Sequence, residues 1–210
     1  MKKLMIALAI VAIASVAQAE LLATWTLNAG GTATATENGT VNMDQVTFGD
    51  LTRTGLGVAS TVAGQFSSNG FGHAGPNSIS FLVTINSGYQ ITGASLNSTS
   101  INGSNTGPGT VQWQLNGVNA GASLVRTSSA AVAWNASIGD IGEGANTLAI
   151  VQVGTANVTG GATSTGGSFR INNLTMSGDV ASTAPVPEPA TMGLLGLGAL
   201  AMVLRRKMSK

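Results

Sequence analysis

Few residues in this chain are of types that do chemistry, and none of them pair at a recognisable spacing. The single histidine, His73, lies in Gly70-Phe71-Gly72-His73-Ala74-Gly75-Pro76, a loop by composition. No cysteine and no Gly-x-Ser-x-Gly segment accompanies it, so no nucleophile can be matched to a base. Asp140 and Glu143 stand three apart in a glycine-rich stretch. Two such carboxylates could divide acid and base work on a glycosidic bond or, with nearby carbonyls, ligate Ca²⁺. The Asp-x-Asn-x-Asp-Gly spacing of a calcium loop is missing, and no further acid sits beside a substrate-binding aromatic. The expectation is a non-catalytic chain without an obligatory cofactor, in which Asp140 and Glu143 are the metal candidates.

Sugar binding has a different requirement: aromatic faces with amides beside them. The candidate aromatics are Trp25, Trp113, Trp134 and Tyr89. Trp113 sits between Gln112 and Gln114 in a strand-like segment and reads as core. Trp134, followed by Asn135 near a turn, reads as the exposed one, so Trp134 and Asn135 form the candidate ligand-binding pair. Arg170, between Phe169 and Ile171, is expected on the polar face of the last strand or paired with an acid.

These residues have to be positioned by a domain that lies between two targeting segments. Lys2-Lys3, the apolar run Leu4 to Val16, and Ala17-Gln18-Ala19 have the three regions of a secretory signal peptide, with signal peptidase expected to cut after Ala19 and leave Glu20 first. At the other end Val186-Pro187-Glu188-Pro189 precedes an uncharged run from Ala190 to Leu204 and then Arg205-Arg206-Lys207. Two prolines hold the motif extended, with Glu188 projecting between rigid neighbours where a processing enzyme can grip it. The apolar run is 15 residues long, short of the roughly 20 that span a bilayer, so it reads as a transient membrane helix. Arg205, Arg206 and Lys207 form a cytoplasmic stop that places the rest of the chain outside.

The three-part tail from Val186 to about Lys210 resembles the PEP-CTERM sorting segment of exported proteins in Gram-negative, exopolysaccharide-producing bacteria. The resemblance implies processing near Pro-Glu-Pro by the membrane protease-transpeptidase exosortase, and a final location at the cell surface or in the extracellular matrix. The same tail occurs on some proteins described as ice-binding.

Without its ends the chain changes character. Arg53, Arg126 and Arg170 remain against Glu20, Glu37, Asp44, Asp50, Asp140, Glu143 and Asp179, a formal charge of −4 where the full chain carries +1. A lysine-free acidic domain is a poor electrostatic partner for nucleic acid. The absence of cysteine excludes disulfide staples and thiolate metal sites.

Residues 20–180 read as one all-β domain, with strand signals separated by Gly, Asn and Ser. The clearest strand is Ser78 to Ile85, whose Ile79, Phe81, Val83 and Ile85 share one face. Further strands are expected at Leu22 to Leu27, Gln45 to Phe48, Gln90 to Leu96, Thr110 to Leu115, Thr147 to Val153 and Ser168 to Met176. Asn116-Gly117 reads as a tight turn and Gly139 to Gly144 as a loop. The stretches 28–40 and 154–167 read as exposed loops or irregular edge strands, and Ala181 to Pro185 as the linker to the 186–210 segment.

Trp25, Ile79-Ser80-Phe81, Val111-Gln112-Trp113-Gln114 and Phe169-Arg170-Ile171-Asn172-Asn173-Leu174 resemble an antiparallel jelly-roll sandwich common among PEP-CTERM cargo, with Asn172 where an acid is frequent. The fold expected is therefore a jelly-roll-like β-sandwich flanked by an N-terminal signal helix and a short C-terminal transmembrane helix. Three functions are compatible with the sequence: a non-catalytic surface or matrix protein, a polysaccharide-binding or ice-binding module, and a secreted hydrolase. For ice, Thr32, Thr34 and Thr36 alternate correctly but form one short row.

Overall fold

The structure is a computed structural model, and it describes residues 19–27, 32–39, 43–59, 64–71 and 77–184. The expectations for the signal segment up to residue 18, for His73 and for residues 185–210 lie outside the described residues.

Two antiparallel sheets face each other. The first has seven strands: β11 (Val132–Ile141), β8 (Tyr89–Gly103), β13 (Ser168–Ser182), β1 (Glu20–Leu27) and β2 (Ala33–Glu37) in order, with β6 (Phe66–Asn69) also paired to β13 and β5 (Gly57–Val58) paired to β6. The second has six: β10 (Val118–Val125), β9 (Thr110–Leu115), β12 (Gly144–Gln152), β7 (Ser78–Ile85) and β3 (Val46–Phe48), with β4 (Thr52–Thr54) also on β7. The expected all-β sandwich is the fold, and the helical content among the described residues is one 3-10 turn, Met43–Gln45.

Period-two alternation places the core. In β7 Ile79, Phe81, Val83 and Ile85 are buried while Leu82 between them is exposed. They meet Trp25, Leu22, Ile91, Leu96, Ile171, Leu174 and Met176 of the opposite sheet. A chain of rings runs through the middle: Phe48 against Trp25 at 6.2 Å, Trp25 against Phe81 at 4.4 Å, Phe81 against Trp113 at 6.0 Å, and Trp113 against Trp134 at 5.6 Å. Asn116 (φ 52°) and Gly117 (φ 83°) close the two-residue turn from β9 to β10, as their types require.

Several boundaries differ from expectation. The segment 139–144 is mostly strand, since β11 runs to Ile141 and β12 starts at Gly144. The assigned linker is shorter too, because β13 continues through Ala181 and Ser182, which pair with Gln90 and Tyr89. Within 28–40, β2 is an edge strand. Sequence reading missed β4, β5, β6, β10 and β11. The short ones hold too few residues to show alternation, and β10 (VNAGASLV) offers little apolar contrast.

One irregularity positions the site described next. Strand β13 is paired along one side first with β6, from Ser168 to Ile171, and then with β1, from Leu174 onward. At the changeover Asn173 takes a left-handed backbone (φ 53°), and Gly64 N–H donates to Leu27 carbonyl at 3.0 Å, tying the two abutting segments together.

Candidate functional site

The expectation that Trp134 is exposed is overturned. The side chain is 5% exposed, one ring face stacks on Trp113, and Nε1–H donates to the Ala122 carbonyl at 3.2 Å. The reason is register: Trp134 faces inward with Ala136 and Ile138, while Asn135 points to solvent. Trp134 and Asn135 therefore lie on opposite faces of β11 and do not form one platform. Trp25 and Trp113 are core as well, and Tyr89 is partly buried against it.

Asp140 and Glu143 are used locally. Asp140 Oδ1 accepts from Gly93 N–H at 2.9 Å, and Glu143 Oε2 accepts from Gly88 N–H at 3.0 Å and Ser87 hydroxyl at 3.1 Å. Among the described residues no group of three His, Asp or Glu side chains is arranged to hold a metal. The Gly88 amide, with Ser87 second, holds the Glu143 carboxyl below its ordinary pKa. A depressed carboxylate contributes stability that is present above the unfolded value of about 4.3 and lost as pH falls through the folded value. The Glu143 side-chain resonance is accordingly expected to titrate below an ordinary exposed glutamate, and Ser87→Ala should move its midpoint upward. An unmoved midpoint would remove Ser87 from the account.

What tertiary structure assembles instead is the outer face of the larger sheet. Register aligns Asn135, Asn97, Thr175, Thr24 and Thr36 as one row across β11, β8, β13, β1 and β2. Thr26 and Thr34 pair beside it, so the threonines form a two-row patch rather than the single short row expected. This row is uncharged, built of hydroxyls and amides.

Charge is unevenly distributed along the sandwich, with Asp50 and Glu37 bonded to Ala35 and Phe48 amides between its two ends. Arg53 donates to Ser67 carbonyl (2.8 Å) and Ser68 hydroxyl (2.9 Å) and lies 3.7 Å over the Phe66 ring. Arg126, 2% exposed, donates to Pro108 carbonyl at 3.2 Å and sits 5.9 Å from Phe169. Burial lowers the pKa of both guanidiniums. Arg170 follows Phe169 on β13 and pairs in register with Ser67. All three arginines thus gather at one end. Glu20 (opposite Gly178), Asp179 (opposite Thr92), Asp140 and Glu143 mark the other end, where the chain also enters and leaves the sandwich. From Arg170 to Asp179 is nine residues of one strand, about 30 Å at 3.3 Å per residue.

At the arginine end five polar atoms are buried without a hydrogen-bond partner: Arg126 Nε, Arg170 Nε, Ser67 Oγ, Asn172 Oδ1 and Gln65 Oε1. Phe169 and Ile171 point into the core, so Arg170 and Asn172 share the outer face; Ser67 opposes Arg170 in register, and Gln65 directly precedes β6. An unpaired buried polar atom costs roughly 1–3 kcal/mol, so such a group at one end is a local cost to folding. Arg170 was placed on the polar face from sequence, and that is where it lies. Its register partner was not legible, because Ser67 is about a hundred residues away in the chain.

Residues 185–207 match the family model described as the PEP-CTERM protein-sorting motif. The chain therefore carries that motif, which implies export to the cell envelope or surface of a Gram-negative bacterium and processing by an exosortase-type enzyme. A search among curated proteins finds no match. Among solved structures the chain is similar to a GH26-CBM35 β-(1,4)-mannanase of Podospora anserina, at 17% identity over 69% of this chain and 29% of that chain, TM-score 0.40. It is also similar to the CBM36-1 domain of a multidomain xylanase from the hindgut metagenome of Trinervitermes trinervoides, at 15% identity over 64% of this chain and 97% of that one, TM-score 0.38. A Paenibacillus xanthan lyase matches at 14% identity over 75% of this chain and 14% of the lyase, TM-score 0.34. The chain spans less than a third of the mannanase. Among the described residues no helix is long and apolar enough to cross a membrane; the apolar run 190–204 lies outside them.

Proposed function

We propose that this chain is a non-catalytic protein of the cell surface or exopolysaccharide matrix, cut from its signal peptide after Ala19 and handed to the processing enzyme through Val186-Pro187-Glu188-Pro189. The sorting motif at 185–207 carries the reading. Two features of the domain support it: its candidate carboxylates are engaged by turn amides rather than by each other, and its larger sheet presents an uncharged hydroxyl and amide face. Both strand ends that lead to the targeting segments lie at the acidic end, so the arginine end is the one turned away from the attachment.

The finer alternative is a polysaccharide-binding module. Its support is the outer face of the larger sheet, where hydroxyls, amides and one cation stand together, and not the tryptophans, which are buried. Ice binding would draw on the threonine patch alone.

A tag inserted after Glu20 and followed through fractionation tests the location. The expected product is a surface-exposed domain whose first residue by mass spectrometry is Glu20. An exported fraction that begins at Met1, or a tag confined to the cytoplasm, would overturn the proposal.

A further inference from the structure

Building on the sorting reading above, we infer that the end of the sandwich from which the tail leaves is a contact surface for the exosortase-type enzyme while it acts at Pro187-Glu188-Pro189. The surface consists of the turn 86–88 between β7 and β8, the turn 142–143 between β11 and β12, and Thr183 at the root of the tail.

Reach brings the two together. Strand β13 ends at Ser182, paired with Tyr89, and the next two residues stay on the domain: Thr183 N–H donates to the Gly88 carbonyl at 2.8 Å and Ala184 N–H to the Ser182 hydroxyl at 3.2 Å. Glu188 is four residues beyond Ala184, and Ala190, where the uncharged run starts, is six beyond it. A chain spans at most about 3.6 Å per residue, so Glu188 stands no more than about 14 Å from Ala184, and Ala190 no more than about 22 Å. A folded unit of only about 100 residues already has a radius of gyration of about 13 Å. An enzyme that encloses the motif therefore touches the end of the domain.

The surface it meets is firmly built. Asn86 N–H donates to the Gln45 carbonyl at 2.8 Å and Asn86 Nδ2 to Gln45 Oε1 at 3.2 Å, which ties the turn 86–88 to the start of β3. Gly88 links the other two parts: its N–H holds Glu143 and its carbonyl holds Thr183, so the root of the tail and both turns form one hydrogen-bonded unit. Asn86, Ser87, Gly142, Glu143 and Thr183 are all exposed. Amide, hydroxyl and carboxylate groups without a large apolar side chain among them suit a small, wet contact that lets the product go after the cut.

The test is a pulse-chase of the full chain, tagged after Glu20, in a Gram-negative host that carries an exosortase-type enzyme. Bulk is added to the surface by Ser87→Trp and, separately, by Gly142→Trp, where an added Cβ meets no atom within 4 Å. Each is made with the tail at its natural distance and with a 12-residue Gly-Ser linker between Ala184 and Pro185, which adds about 20 Å of mean span. Both substitutions should slow tail removal at least 5-fold at the natural distance and less than 2-fold in the linker chains. If Ser87→Trp does not fold, Gly142→Trp decides. Unchanged rates at the natural distance, or equal slowing with and without the linker, overturn the contact alone. A wild-type chain that is never shortened overturns the sorting reading and the contact together.

Discussion

Trp134→Ala is expected to destabilise the sandwich by about 3–5 kcal/mol, the range for removing a large aromatic from a core. The loss has two parts. The ring stacks on Trp113 at 5.6 Å, the last link of a chain that begins at Phe48, so its removal leaves a cavity against Trp113. Its Nε1–H also donates to the Ala122 carbonyl, a bond that clips β11 of one sheet to β10 of the other at the open edge of the sandwich. Trp134→Phe should keep much of the packing and lose that clip, with a smaller cost. For a domain of this size, 3–5 kcal/mol corresponds to a fall in Tm on the order of 10 °C. Chemical denaturation of wild type and variants measures it. A change below about 1 kcal/mol for Trp134→Ala would return the residue to the surface and reopen it as a sugar platform.

The second large effect concerns processing. Glu188→Ala should leave export and folding intact, because the motif lies beyond the last strand, and should block removal of the tail by the exosortase-type enzyme. The retained form should be larger by roughly a tenth, the share of residues 190–210 in the 20.9 kDa chain of 210 residues. Deleting Arg205 to Lys207 should do the opposite and weaken retention before processing, since the stop-transfer charges are gone. An unchanged size and unchanged surface display in the Glu188 variant would mean that the tail is a plain anchor.

The two predictions draw on different kinds of information. The tail reads as a linear signal: prolines, an apolar run and a basic cluster are legible from their order along the chain. The core strand Ser78 to Ile85 was equally legible, because strict alternation over eight residues admits one buried face. Trp134 misled because a tryptophan beside an asparagine near a turn looks the same from either side of a sheet. Only the parity of its position, counted from Ala136 and Ile138, decides the face, and that parity requires the strand to be recognised first.

By itself, then, the sequence determined the fold class, the apolar face of the principal strand, the exclusion of thiol chemistry and the address read from Val186 to about Lys210, which the family model matches over 185–207. Tertiary structure alone decided the rest. It closed Trp134 into the core, separated Asp140 and Glu143 into two turn-binding carboxylates, drew three arginines to one end, and set Ser67 against Arg170. The physical reason is that sheet pairing joins residues about a hundred positions apart through backbone hydrogen bonds whose register depends on every strand between them, a relation that no local pattern of side chains encodes.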